Sequence, residues 1–156
     1  MEKTNVMRVL DQKKIPYIPH EYDPGTTDGR SVAALTGRDP ATVFKTLVTV
    51  GASKRNYVFV IPVHHELDLK KAAKAVGEKS IAMIRQAELL PLTGYVHGGC
   101  SPVGMKKQFR TVIHESANQL PQMLVSAGRI GAQVELSPAD LAKLVRAEFY
   151  FVTVEA

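Results

Sequence analysis

Two runs rich in β-branched and aromatic residues, Val43 to Val50 and Tyr57 to Ile61, are joined by the short polar stretch from Gly51 to Asn56. Runs of this composition separated by a glycine-containing linker predict an antiparallel hairpin. A hairpin this apolar commits the chain to a sheet that other segments must cover, and the flanking sequence supplies the cover. Residues 4 to 13 place Val6, Met7, Val9 and Leu10 at helical spacing behind the N-cap residue Thr4. From Asp68 to Val76, Leu69, Ala72, Ala73 and Val76 predict one apolar helical face. Lys70, Lys71 and Lys74 then point outward, and Gly77 ends the helix. Ser137-Pro138-Ala139-Asp140 combines an N-cap, a first-turn proline and an acidic third position ahead of Leu141, Leu144 and Val145.

Shorter signals fill the rest of the chain. Ile15 to Tyr22 reads as an edge or extended strand, because Pro16 and Pro19 lack the donor a central strand needs. Asp23 to Gly29 is a turn cluster, Ser31 to Thr36 a short helix closed by Gly37, and Asp39-Pro40 a second helix cap. Ser80 to Ile84 predicts a strand, Gln86 to Leu90 a short helix and Tyr95-Val96 another strand. Thr111 to Ile113, Met123 to Ser126, Val134 to Leu136 and Phe149 to Val154 predict four more. Strands and helices interleave without a βαβ rhythm or a fixed-period repeat, so the expected class is α+β. A chain of 156 residues is long enough for one sizeable core and short for two, so residues 1 to 156 are expected to form a single domain.

Composition narrows the function classes. Twenty Lys and Arg against fifteen Asp and Glu leave a net charge of +5, compatible with a nucleic-acid partner and equally with ordinary solvated faces. The cations pair at Lys13-Lys14, Lys70-Lys71 and Lys106-Lys107. No apolar run approaches the roughly 18 to 20 residues that span a bilayer, and Glu2, Lys3, Asn5 and Arg8 interrupt the N-terminal segment, so neither a membrane span nor a secretion signal is expected. Cys100 is the one cysteine, which excludes an internal disulfide and fits a reducing cytoplasm.

Several residues bear on chemistry. Lys45 sits inside the first hairpin strand, sharing an alternating face with Leu47 and Thr49; it is either an edge charge that discourages aggregation or a cation aimed into a cleft. Gly98 to Gly104 contains three glycines in seven residues, which suits a tight connection or a backbone cradle for an oxyanion. Ser126 to Gly131 carries the same two readings. The adjacent pair His64-His65 does not match the spacing of metal-ligating histidines, so no metal is expected there. His20, His97 and His114 are isolated in sequence, and Cys100 is either a nucleophile or a small buried residue. No phosphate-binding loop, dinucleotide fingerprint or nucleophile elbow is present.

Taken together, Phe44-Lys45-Thr46-Leu47, Leu67 to Lys74, Thr93-Gly94-Tyr95, Gly98-Gly99 with Ser101-Pro102 and Gly104 to Lys107, Val125-Ser126 with Gly128, and Asp140 to Lys143 resemble the YbaK/EbsC family of aminoacyl-tRNA deacylases in order and spacing. The likeness runs over nearly the whole chain. It implies a mixed, mostly antiparallel sheet or barrel-like core with surrounding helices, related to the editing domain of prolyl-tRNA synthetases. The implied activity is trans-editing: removal of cysteine from proline tRNA, with the substrate's own thiol attacking its ester and no cofactor required. Carried over by position, Lys45 orients the substrate end and neutralises developing charge, and Gly98 and Gly99 form the catalytic cradle. Tyr22, Thr46, Ser101, Pro102, Ser126 and Gly128 shape the binding pocket. The implied partners are the 3′ end of mischarged tRNA and a prolyl-tRNA synthetase complex, with no DNA and no membrane.

Asp28, Cys100 and Gln133 depart from the usual family residues and bear on which amino acid is removed, while His97 replaces a usually apolar residue with no physical reason legible in the sequence. A related deacylase for alanine or another small residue, and a non-catalytic module binding tRNA or a synthetase, are the alternatives.

Overall fold

The computed structural model describes residues 2–23 and 37–155. Most of the turn expected up to Gly29 and the short helix expected at Ser31 to Thr36 therefore lie outside the described residues. Helix α1 (Asn5–Gln12) begins at Thr4, whose hydroxyl accepts from the Met7 N–H at 3.2 Å. It buries Val6, Met7 and Leu10. The hairpin strands β2 (Phe44–Gly51) and β3 (Asn56–Pro62) pair antiparallel from Phe44 opposite Pro62 to Val50 opposite Asn56. Between β1 (Ile18–Glu21) and β2, Asp39 caps a single 3-10 turn, Pro40–Thr42.

Helix α2 (Leu69–Val76) is capped by Asp68, whose carboxylate accepts from the Lys70 and Lys71 N–H groups, and it ends at Gly77 with φ +77°. Strand β4 (Ile81–Met83) and a 3-10 turn at Gln86–Glu88 lead into helix α3 (Leu89–Thr93). Strands β5 (Arg110–His114), β6 (Met123–Ser126) and β7 (Ala132–Leu136) follow, then helix α4 (Pro138–Val145) and strand β8 (Glu148–Tyr150). The Ser137 hydroxyl accepts from the Asp140 N–H, as the capping pattern in the sequence predicts.

Among the described residues the strands form two sheets: β1-β7-β6, all antiparallel, and β4-β2-β3-β5-β8. In the larger sheet β2 is antiparallel to both neighbours, whereas β3–β5 and β5–β8 are parallel. The main core fills the space between the two sheets, α1 and α4. It joins Val6, Met7 and Leu10 to Phe44, Val48, Val60, Ile113, Val125, Val134 and Leu141. The opposite face of the larger sheet, with Tyr57, Phe59, Ile61 and Val112, is covered by Ala72, Ala73 and Val76 of α2. A fully buried side chain such as Phe59 contributes about 1.5–3 kcal/mol. The α+β expectation matches this architecture.

Four local expectations need correction. Tyr95 and Val96 form no strand: the Tyr95 ring is buried and its hydroxyl donates to the Val103 carbonyl at 2.5 Å, so an aromatic followed by a β-branched residue here signals packing and not ladder pairing. The last strand stops at Tyr150, and Thr153 makes only an isolated bridge to Leu67. Leu69 leaves the apolar face of α2 and is 41% exposed. Lys71 does not simply point outward, since its Nζ donates to the Thr153 carbonyl at 3.2 Å and lies 4.4 Å from the centre of the Phe151 ring. No helix among the described residues is long and apolar enough to cross a membrane.

Candidate functional site

Strand β4 pairs only with Thr49–Gly51, so the edge of β2 from Phe44 to Leu47 is not covered by it. A cavity of about 290 Å³ opens at this edge. Residues from both faces of β2 reach it. Phe44 and Thr46 belong to the face turned toward the main core; Lys45 and Leu47 belong to the face that pairs with Ile61 and Phe59 and meets α2. Val43, Val63 and Leu89 add apolar wall, Tyr22 and Gln133 come from the smaller sheet, and Ser126 ends β6. His97, Gly98 and Cys100 come from the glycine-rich loop.

Of the residues singled out from the sequence, the cavity brings together Tyr22, Lys45, Thr46, Gly98 and Ser126. Gly99, Ser101, Pro102 and Gly128 stand behind the lining. The Gly99 N–H donates to the Val96 carbonyl at 3.0 Å, closing a turn with His97 and Gly98 at its tip. Gly98 has φ +88° while His97 keeps a negative φ, which makes this a type II turn with glycine where that turn requires it. Gly99 is needed for a different reason: a Cβ there would meet the Arg129 and Ile130 backbone at 3.0 Å. The two glycine-rich segments thus rest directly on each other. Ser101 is fully buried and its hydroxyl accepts from the Val103 N–H, while the Ser126 hydroxyl accepts from the Gly128 N–H at 3.1 Å. Both serines brace loops in this way, and Ser126 also faces the cavity.

Two buried oxygens in this cavity lack a hydrogen-bond partner among the described residues: Thr46 Oγ1 and Gln133 Oε1. Buried acceptors are nearly always satisfied, so two in one small cavity mark a place where a ligand brings donors. The chain also presents the Gly98 N–H, which no described residue accepts, and the Lys45 ammonium at the edge. Burial pushes the Cys100 thiol up to about 12 despite a hydrogen bond from Thr93, which disfavours the thiolate that a nucleophile requires. Gln133, one of the departures from the usual family residues, lines the cavity as well. Along β7 it is in phase with Glu135, yet it is only 5% exposed.

Beyond the Lys45 side lies a group of imidazoles. The His64 and His65 rings are 4.1 Å apart, and His65 stacks toward His114 at 6.3 Å. Burial, then His64 and then Lys45 hold His65 below the usual histidine range. His114 is pushed down to about 4, chiefly by burial, and its Nδ1 accepts from the Val152 N–H at 3.2 Å, the bond expected of a neutral ring. No group of three or more His, Cys, Asp or Glu side chains among the described residues is arranged to hold a metal ion.

A mostly apolar cavity, open at one end and carrying a few convergent polar groups on an α+β scaffold, defines a small-ligand site. The chain belongs to the aminoacyl-tRNA editing domain family, whose sequence model matches residues 23–144. It is 44% identical over 156 residues to an Enterococcus faecalis protein provisionally named Cys-tRNA(Pro)/Cys-tRNA(Cys) deacylase EbsC, covering 99% of this chain and 95% of that one. Two solved structures share the fold. One, described as a candidate trans-editing enzyme for prolyl-tRNA synthetase, superposes with a TM-score of 0.85 at 24% identity over 99% of this chain and 100% of that one. The other, a hypothetical protein, gives 0.89 at 23% identity over 97% and 100%.

Proposed function

We propose that the protein is a trans-editing deacylase acting on the cysteinyl ester of proline tRNA. The observation that carries this reading is the pair of unpartnered buried oxygens, Thr46 Oγ1 and Gln133 Oε1, inside a cavity of about 290 Å³ beside Lys45 and Gly98. The α-ammonium of an aminoacyl ester supplies N–H donors to two such oxygens, and a cavity at the small end of the roughly 300–1,000 Å³ ligand range suits a small side chain. The name of the Enterococcus relative supports cysteine as the residue removed. A separate hydrolytic site is useful because a synthetase gains only about 1–3 kcal/mol from a small apolar difference between amino acids.

In this mechanism the chain supplies position and charge stabilisation, and the substrate supplies the nucleophile. No hydroxyl or thiol among the described lining residues is hydrogen-bonded to an imidazole, which favours attack by the substrate's own thiolate. The sulfur bonds to the ester carbonyl carbon and the carbon–oxygen bond to ribose breaks. A cyclic thiolactone leaves, and the tRNA ends in a free hydroxyl. The Gly98 N–H and the Lys45 ammonium stabilise the negative charge that gathers on oxygen, the term that usually dominates acyl transfer. Gly99, Ser101, Pro102 and Gly128 hold the loop, while Tyr22 and Ser126 form its facing walls. The enzyme works in the cytoplasm and borrows tRNA identity from prolyl-tRNA synthetase.

Single-turnover deacylation of cysteinyl-, alanyl- and prolyl-tRNA(Pro) tests the reading. The expected result is rapid loss of the cysteinyl ester alone. Preference for alanine, which has no thiol, transfers the assignment to a water-using deacylase, and binding without turnover of any ester overturns the enzyme.

A further inference from the structure

His97 occupies an unusual position. It lies on the tip of the type II turn closed by the Gly99 N–H to Val96 carbonyl bond, immediately before Gly98, and it is exposed at the cavity while still forming part of its lining. None of the hydrogen bonds or ion pairs among the described residues ties down its ring. The buried part of the same lining, Phe44, Cys100 and Gln133, marks the end where an amino acid is enclosed; the exposed end must receive the ribose.

We propose that His97 is the general acid of the reaction, protonating the ribose oxygen as the ester bond breaks. The inference rests on the deacylase reading above. The ester oxygen is bonded to the same carbon as the carbonyl oxygen that faces the Gly98 N–H, on the side leading out of the cavity, so the neighbouring turn residue is the one beside it. An alkoxide is a poor leaving group, and a positioned acid is most effective when its pKa lies near the working pH. Imidazole is the side-chain group that ordinarily titrates near neutral pH, whereas burial pushes the Cys100 thiol up to about 12. The protons balance through solvent at the open end of the cavity. The substrate thiol releases its proton to water as sulfur attacks, His97 in its protonated form gives one to the ribose oxygen as the carbon–oxygen bond breaks, and water returns a proton to the neutral ring. The net change is transfer of one proton from sulfur to oxygen.

The test compares two leaving groups with wild type, His97→Ala and His97→Gln. On cysteinyl-tRNA(Pro) under single-turnover conditions, both variants are expected to lower the maximal rate about 100-fold with little change in half-saturating enzyme concentration. On the 4-nitrophenyl ester of cysteine, whose phenolate leaves without a proton, both are expected to stay within about threefold of wild type. Equal losses on the two esters, or unchanged rates on both, overturn the role of His97 while leaving the deacylase in place. A wild-type protein that cleaves neither ester overturns the deacylase reading itself.

Discussion

The floor and the mouth of the cavity are built on opposite terms, and the contrast is sharpest in two residues three positions apart. Cys100, just behind the glycine pair, is 9% exposed and its thiol is driven to about 12; His97, just ahead of it, stands in solvent. The floor otherwise consists of Phe44, Val43 and Val63 with the two unsatisfied oxygens, whereas the mouth carries Lys45 and the turn. A buried floor strengthens whatever polar contact a substrate makes there, and it disfavours the thiolate form of Cys100. Recognition belongs to the floor, and charge handling belongs to the mouth.

The largest effect expected from breaking this division is at the mouth. Lys45→Ala should lower single-turnover deacylation about 100-fold or more, the scale of losing one charge-stabilising donor, with an unchanged circular dichroism spectrum. Next comes the floor. Gln133→Leu should weaken substrate binding about tenfold, yet leave the melting temperature unchanged or raised, because it removes a buried acceptor that no described residue satisfies. A fall in melting temperature without a binding defect would make Gln133 a structural residue.

A smaller effect separates His97 from the buried His114. His114 binds its proton less readily folded, near 4, than at its ordinary 6.5, so the unfolded chain takes up more protons in between. The stability that a neutral His114 provides is complete above about 6.5 and is lost as pH falls toward about 4. His114→Gln should flatten that part of the melting temperature against pH while leaving the deacylation rate, which His97→Gln lowers, near wild type. The smallest change is expected from Cys100→Ser, whose deacylation rate should remain within about threefold of wild type; abolition would restore the thiol as a nucleophile.

Much of this scaffold is legible in the residues themselves. Thr4, Asp68 and Ser137 cap the helices their spacing predicts, because capping is a local hydrogen bond. The hairpin follows from alternation and its linker. What local reasoning misplaces depends on distant contacts: Tyr95 is held by Val103 and not by a neighbouring strand, and Gln133 is buried although alternation puts it beside Glu135. Nothing local in the sequence marks Val43, Val63 and Leu89 as cavity wall; the short reach of β4 leaves that edge open. The resemblance supplied Lys45 and the glycine loop, but the division between Gly98 at the lining and Gly99 behind it needed the backbone bond to Val96.

The pairing of β3 with β5 and β5 with β8, together with the Leu67–Thr153 bridge, ties together segments far apart in sequence. Parallel partners distant in sequence are slow to find each other, because loop closure precedes the contacts that compensate for it. The segment carrying His64 and His65 is fastened at one end by the bond from the Val63 N–H to the Val43 carbonyl, and at the other by those from the Asp68 N–H to the Val152 carbonyl and from the Val154 N–H to the Glu66 carbonyl. Until the segment near position 153 docks, the flank beside Lys45 is held at one end, which makes that docking a late step in completing the site.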